Sequence, residues 1–165
     1  MADDHHPPSQ SSLAEYIKFA SVLGLITLTA GLAGGGELAE FLRWFMGVFL
    51  VTFSAFKFIG YNMFTLMFSG YDLLAKRSRA YARAYPFIEL ILGLSFMFDL
   101  LPTVRNLAVI GTMGVGSIGV IQEIYHRRRG VYCACLGNII KLPLSSVSLV
   151  EDVAMVAMAG YMLTV

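Results

Sequence analysis

The chain has 165 residues, of which 57% are hydrophobic and only 14% charged, with a formal net charge of +1 and a mean hydropathy of +0.70. A soluble domain is roughly 45–50% apolar and about 25% charged, and a small globule leaves too much surface in water to hide such an excess, so a bilayer is the natural solvent. Two cysteines exclude a disulfide-rich secreted scaffold, and the charge balance gives no basis for a nucleic-acid partner.

Residues 1–12, MADDHHPPSQSS, are polar and acidic and carry Pro7 and Pro8. They lack a basic stretch followed by an apolar one, so no cleavable signal peptide is expected. A disordered cytosolic tail is expected instead. His5 and His6 are a weak basis for a metal site on such a tail.

The remainder, 13–165, reads as one transmembrane domain. A bilayer core about 30 Å thick needs about 20 mostly apolar helical residues. Five segments qualify: 13–33, 37–61, 84–102, 106–125 and 146–165. The triple glycine 34–36, Pro86, Pro102 and Pro143 read as the breaks between them. In the second segment Glu37, Glu40 and Arg43 are spaced by three, so they share a face and can pair. Residues 62–83 are too polar to span. Apolar Met63, Phe64, Leu66, Met67 and Phe68 precede a basic stretch with Tyr71 and Tyr81, and Tyr85 follows. An interfacial or re-entrant segment is expected, with aromatics and cations at the headgroups. The fourth segment is dense in small residues, Gly111, Gly114, Gly116, Ser117 and Gly119, which suits a tightly packed central helix.

Basic residues set the orientation. Lys76, Arg77, Arg79 and Arg83 lie between segments two and three, and Arg127, Arg128, Arg129 and Lys141 between four and five. Two crossings separate these loops, so they share a side. The N-terminus is then cytoplasmic and the C-terminus periplasmic, in a bacterial inner membrane. The seven basic residues Lys76, Arg77, Arg79, Arg83 and Arg127–Arg129 are candidate lipid or partner contacts.

Ionisable groups inside a membrane are costly and are functional candidates by default. Glu89 lies about one turn inside segment three, and Glu151 and Asp152 about one turn inside segment five. Lys57 and Glu123 fall at the same depth. A Lys57–Glu89 ion pair that fixes helix register and a polar pocket beneath the fourth loop are both open. Asp99 falls near the opposite end, within reach of Arg105 across a short turn. Glu151, Met155, Met158 and Met162 share one stripe of segment five. Thioethers suit Cu(I), and methionine also fills gaps in apolar packing.

The loop HRRRGVYCACLGNIIKLP holds both cysteines, Cys133 and Cys135. A disulfide across one intervening residue closes a small, strained and oxidising ring. The same pair can chelate Cu(I), Zn(II) or Hg(II), with His126 as a third ligand. Neighbouring arginines favour thiolate.

The run YDLLAKRSRAYARAYPFIELILGL, followed two helices later by YCACLGNIIKLPLSSVSLVEDVAM, resembles the MauE/DoxX-type redox-associated membrane proteins. The resemblance covers Ala55 to the C-terminus. It implies an all-α polytopic membrane helix bundle, with a DoxX-like four-helix core formed by segments two to five and the first helix an addition. It also implies a thiol-redox or protein-maturation role of the methylamine-utilisation type.

The leading expectation is therefore a membrane thiol–disulfide oxidoreductase accessory. Cys133 and Cys135 would exchange between dithiol and disulfide, while Glu89 and Glu151 handle or orient protons. The competing class is a soft-metal protein for Cu(I) or Hg(II), with Cys133, Cys135, His126, Met155, Met158 and Met162 as ligands. The third is a structural subunit of a membrane complex. No cofactor is fixed by the residues; a quinone and Cu(I) are the candidates. The expected partners are the lipid bilayer and a thioredoxin-like or heavy-metal-associated protein.

Overall fold

The computed structural model describes residues 11–127 and 144–164, with side chains over 16–122 and 149–164. The tail 1–10 and the segment 128–143, with Arg128, Arg129, Cys133, Cys135 and Lys141, lie outside the described residues, as do the side chains of Glu123, His126 and Arg127. All described elements are α-helical: α1 (Ser11–Ala33), α2 (Leu38–Ile59), α3 (Tyr61–Tyr71), α4 (Arg79–Met97), α5 (Pro102–Arg127) and α6 (Leu144–Met162). Three of them, α1, α2 and α5, are long and apolar enough to cross a membrane. The chain is a multi-pass membrane protein built as a helix bundle. In lipid the backbone must satisfy its own hydrogen bonds, which a helix does within one segment.

The extensive packing interfaces are α2 on α4, α5 on α6, and α1 on α2. At the α2–α4 crossing, Gly47 meets Gly93. A Cβ on Gly93 would lie 2.9 Å from the Val51 nitrogen and 3.0 Å from the Gly47 oxygen. Only a residue without a side chain lets the two backbones approach so closely. Ser54 donates to the Pro86 carbonyl at 2.8 Å and ties the same two helices further along. Around this crossing Met46, Phe49, Leu50, Phe53, Leu92, Phe96, Val109 and Met113 form the larger core.

The structure corrects several sequence expectations. Pro86 does not stop a helix; it sits inside α4, which begins at Arg79 and ends at Met97. Pro102 is the first residue of α5, where a missing N–H costs nothing. Residues 62–83, expected as an interfacial or re-entrant segment, are not one continuous element. They divide into most of α3, a turn, and the first turn of α4. Phe64, Phe68, Tyr71 and Tyr85 are buried in a second core cluster with Val120 of α5, so these aromatics serve packing rather than headgroup contact. The glycines of α5 are not uniformly packing positions: a Cβ on Gly111 or Gly114 would meet nothing within 4 Å.

Two ion pairs foreseen from spacing are present. Arg43 donates to Glu40 at 2.6 Å and also to the Phe96 and Met97 carbonyls that close α4. Arg105 donates to Asp99 at 2.6 Å, with its guanidinium 4.7 Å from the centre of the Phe96 ring. Asp99 has φ 51° and Leu101 φ 44°, so the short α4–α5 turn holds two non-glycine residues in a sparsely populated region. The Asp99–Arg105 contact offsets part of that strain.

Candidate functional site

Five helices converge on one pocket. On α2 the four-residue spacing of Phe49, Phe53 and Lys57 puts all three on one face, and on α4 the same spacing aligns Tyr85 with Glu89. α3 adds Phe64, Phe68 and Tyr71; α5 adds Met113, Gly116 and Val120; α6 adds Glu151, Asp152 and Met155. The cavity between them is about 30 Å³, room for roughly one or two waters.

Lys57 and Glu89 pair directly and are 4% and 3% exposed. Removing two charges from water costs several kcal/mol per ion, on the order that only close pairing and further contacts offset. Lys57 finds those contacts on two aromatic faces, with its ammonium 5.1 Å from the Tyr85 ring centre and 5.5 Å from that of Phe64. The Tyr85 hydroxyl is 3.7 Å from the Met113 sulfur and neighbours Glu89. The second Glu89 oxygen, Oε2, has no hydrogen-bond partner among the described residues.

Asp152 interacts electrostatically with Lys57, Glu89 and Asp72. Gly116 makes room for it: a Cβ there would lie 3.2 Å from Asp152 Oδ2. Among the described residues, three carboxyl groups, Glu89, Glu151 and Asp152, and one ammonium, Lys57, line the pocket. Carboxylates in a low-dielectric interior are costly without partners, so such a lining favours groups that donate hydrogen bonds to them.

Beside the pocket, the α3–α4 turn carries Asp72. Its Oδ1 accepts from the Leu74 N–H at 3.0 Å and the Ala75 N–H at 2.8 Å, while Oδ2 is buried with no hydrogen-bond partner among the described residues. Burial pushes the Asp72 carboxyl above the usual carboxylate range, against the pull of those two N–H groups and Lys76. The Tyr81 hydroxyl is also buried with no hydrogen-bond partner among the described residues. Burial, with the charges of Asp72 and Glu89, pushes it up to about 12. Gly119 of α5 lets the turn close over the bundle, since a Cβ would sit 3.0 Å from the Tyr71 oxygen.

Of the residues named from sequence, Lys57, Glu89, Glu151, Asp152 and Met155 meet at this pocket. Met158 lines a neighbouring groove with Met155, and Met158 and Met162 pack against the larger core. Lys76, Arg77, Arg79 and Arg83 are exposed, as lipid or partner contacts require. Cys133, Cys135 and the side chains of His126 and Arg127–Arg129 lie outside the described residues. Among the described residues no three His, Cys, Asp or Glu side chains form a set that could hold a metal ion. Sequence reasoning missed the aromatic walls, Gly116 and Asp72. A carboxylate two residues before Leu74 is the spacing of an Asx turn, which was the available signal for Asp72.

No match was found among curated proteins or among solved structures. A protein family described as methylamine utilisation protein MauE matches residues 35–165. The match begins within the triple glycine that follows α1, so the first helix lies outside it, while α2 to α6 and the whole pocket lie within it. On this match, over most of its length, the chain belongs to the MauE family of membrane proteins.

Proposed function

We propose that the protein is a membrane-embedded accessory of thiol redox chemistry or protein maturation. Cys133 and Cys135 exchange between dithiol and disulfide with a client. When the dithiol reduces a client disulfide, one disulfide forms here, one breaks there, and two electrons and two protons pass to the client. Glu89 and Glu151 hold and orient protons during that exchange. Exposed Lys76, Arg77, Arg79 and Arg83, with Arg127–Arg129, contact headgroups or the partner.

The observation that carries this reading is the acid-rich pocket between α5 and α6, the helices on either side of the cysteine segment. Val120 precedes the end of α5 by seven residues and Asp152 follows the start of α6 by eight, about 10–12 Å along each helix axis. Thiol–disulfide exchange needs thiolates formed and reprotonated, and a pocket with more carboxyl groups than cations is a proton store at that end of the bundle. Membership of the MauE family supports the membrane setting.

The test is alkylation of native membranes before and after mild oxidation, read as a mass shift. Wild type is expected to lose two alkylation sites on oxidation, and Cys133→Ser to lose none. Unchanged alkylation of wild type over the full range of oxidant sinks the reading. Metal analysis of the purified protein is expected to give well under one copper per chain; a stoichiometric ion favours the soft-metal alternative.

A further inference from the structure

Three buried oxygens on the α3–α4 side of the bundle have no hydrogen-bond partner among the described residues: Asp72 Oδ2, the Tyr81 hydroxyl and Glu89 Oε2. Asp72 is fully buried and Glu89 is 3% exposed. An unpaired buried polar atom is costly, and nearly all such atoms in folded proteins find a protein group or an ordered water. These three follow one another from the edge of the bundle inward. Asp72 sits in the turn, where its neighbours Leu74, Lys76 and Arg77 are exposed. Tyr81 is within electrostatic reach of both Asp72 and Glu89. Glu89 lines the inner pocket.

Two helix faces build this seam. On α4, Tyr81, Tyr85 and Glu89 recur every four residues and share one face, with the two tyrosine rings 5.9 Å apart. On α5, Gly116 and Gly119 are three apart and share another. A Cβ on Gly119 would lie 3.1 Å from the Asp72 Cα, and one on Gly116 would lie 3.2 Å from Asp152 Oδ2. Cβ positions three residues apart on a helix are about 5–6 Å from each other. The two glycines therefore seat two carboxyl residues about one turn apart, Asp72 at the turn and Asp152 in the pocket. The cavity of about 30 Å³ beside them admits water and nothing as large as an organic ligand.

We infer that Asp72 and Tyr81 form a water-bridged proton entry from the α3–α4 turn to the Lys57–Glu89 pocket. Water shared by Asp72 Oδ2 and the Tyr81 hydroxyl starts the route, and water shared by Glu89 Oε2 and Asp152 ends it. A proton leaves hydronium at the turn and bonds to the Asp72 carboxylate. The Tyr81 hydroxyl accepts one proton from that side and gives its own to the next water. The Asp152 or Glu89 carboxylate takes the last one. Only O–H bonds form and break, and nothing is oxidised or reduced. The other titratable groups along the route are Lys76 on the turn, Tyr85 of α4, Lys57 of α2 and Glu151 of α6. The inference rests on the reading of Glu89 as a group that holds protons, and not on Cys133 or Cys135.

The full-length protein in detergent, taken through a rapid drop in pH and followed by time-resolved infrared spectroscopy, tests it. Protons that reach the pocket raise the carboxylic-acid C=O band, and the pocket's share is the part missing in Glu89→Gln and Asp152→Asn. That share is expected to grow at least about tenfold more slowly in Asp72→Asn and in Tyr81→Phe, as loss of a proton-transfer group requires, and to reach the wild-type end point in both. Asp72→Asn keeps an oxygen for the turn's N–H groups but takes up no proton. Should it fail to fold by circular dichroism, Tyr81→Phe, which loses one oxygen, carries the test. Tyr161→Phe, at an exposed site near the end of α6, is expected to behave as wild type does. Wild-type rates in the folded entry variants, a lowered end point without a slower rate, or equal slowing in Tyr161→Phe overturns the entry route and leaves the proton-holding reading of Glu89 in place. A band with no Glu89 or Asp152 share overturns both.

Discussion

Replacing Lys57 with methionine isolates what the buried cation does. Methionine matches the length of the aliphatic stem and fits apolar surroundings, so the perturbation is the lost ammonium. In the native protein that ammonium pairs with Glu89, rests on Tyr85 and Phe64, and interacts favourably with Asp152. Breaking a buried pair from one side costs about 3–5 kcal/mol because the other charge stays behind. Two cation–aromatic contacts add about 0.5–1 kcal/mol each. Lys57→Met is therefore expected to lose about 4–7 kcal/mol. Glu89→Met is expected to lose less, about 1–3 kcal/mol, because Lys57 retains Asp152 as a neighbour. The double variant removes both charges from the interior and is expected to recover most of the loss, giving a coupling of at least about 2 kcal/mol. The assay is unfolding by sodium dodecyl sulfate in mixed micelles, followed by circular dichroism. If Glu89→Met is as damaging as Lys57→Met, or if the double variant is no better than Lys57→Met, then Lys57 is not the shared counter-ion of this pocket.

Two further outcomes follow from geometry. Gly93→Ala places a Cβ within 3.0 Å of α2 backbone atoms and is expected to cost about 1–3 kcal/mol; Gly111→Ala meets nothing within 4 Å and is expected to be neutral or to gain up to about 1 kcal/mol from helix propensity. The same micelle titration compares them, and equal stability of the two would refute the close α2–α4 crossing. The Asp72 carboxyl is raised by burial above its unfolded value, so its protonated form is favoured in the fold. Its penalty is absent below the unfolded value, near 3.8, and grows as pH rises through the folded one. Asp72→Asn keeps an oxygen for the Leu74 and Ala75 N–H groups and is expected to remove that downward slope. Unfolding curves measured from pH 4 to pH 8 that stay parallel to wild type would count against this account.

Much of the architecture was legible because it is local. Apolar runs long enough to cross a bilayer mark α1, α2 and α5 directly. Arg43 with Glu40 and Arg105 with Asp99 follow from separations of three and six residues, a distance over which helix and turn geometry place side chains without knowledge of the fold. The Lys57–Glu89 pair was available only as one option, from shared membrane depth, since 32 residues separate them. Pro86 misled because a proline two turns inside a helix reads the same in sequence as one that ends it. Phe64 and Phe68 misled because an apolar residue facing lipid and one facing protein have the same composition.

The sequence by itself determined that this is a helical membrane protein, where most of its helices run, and which family it resembles; composition, segment length and short motifs carry that information. Tertiary structure alone decided which helices touch and what they enclose. Gly47 opposite Gly93, Gly116 opposite Asp152, and Lys57 between two aromatic rings and Glu89 are contacts between distant parts of the chain. In a bilayer, where every apolar face is equally well solvated by lipid, hydropathy cannot choose among them. Close packing and the cost of a buried charge do.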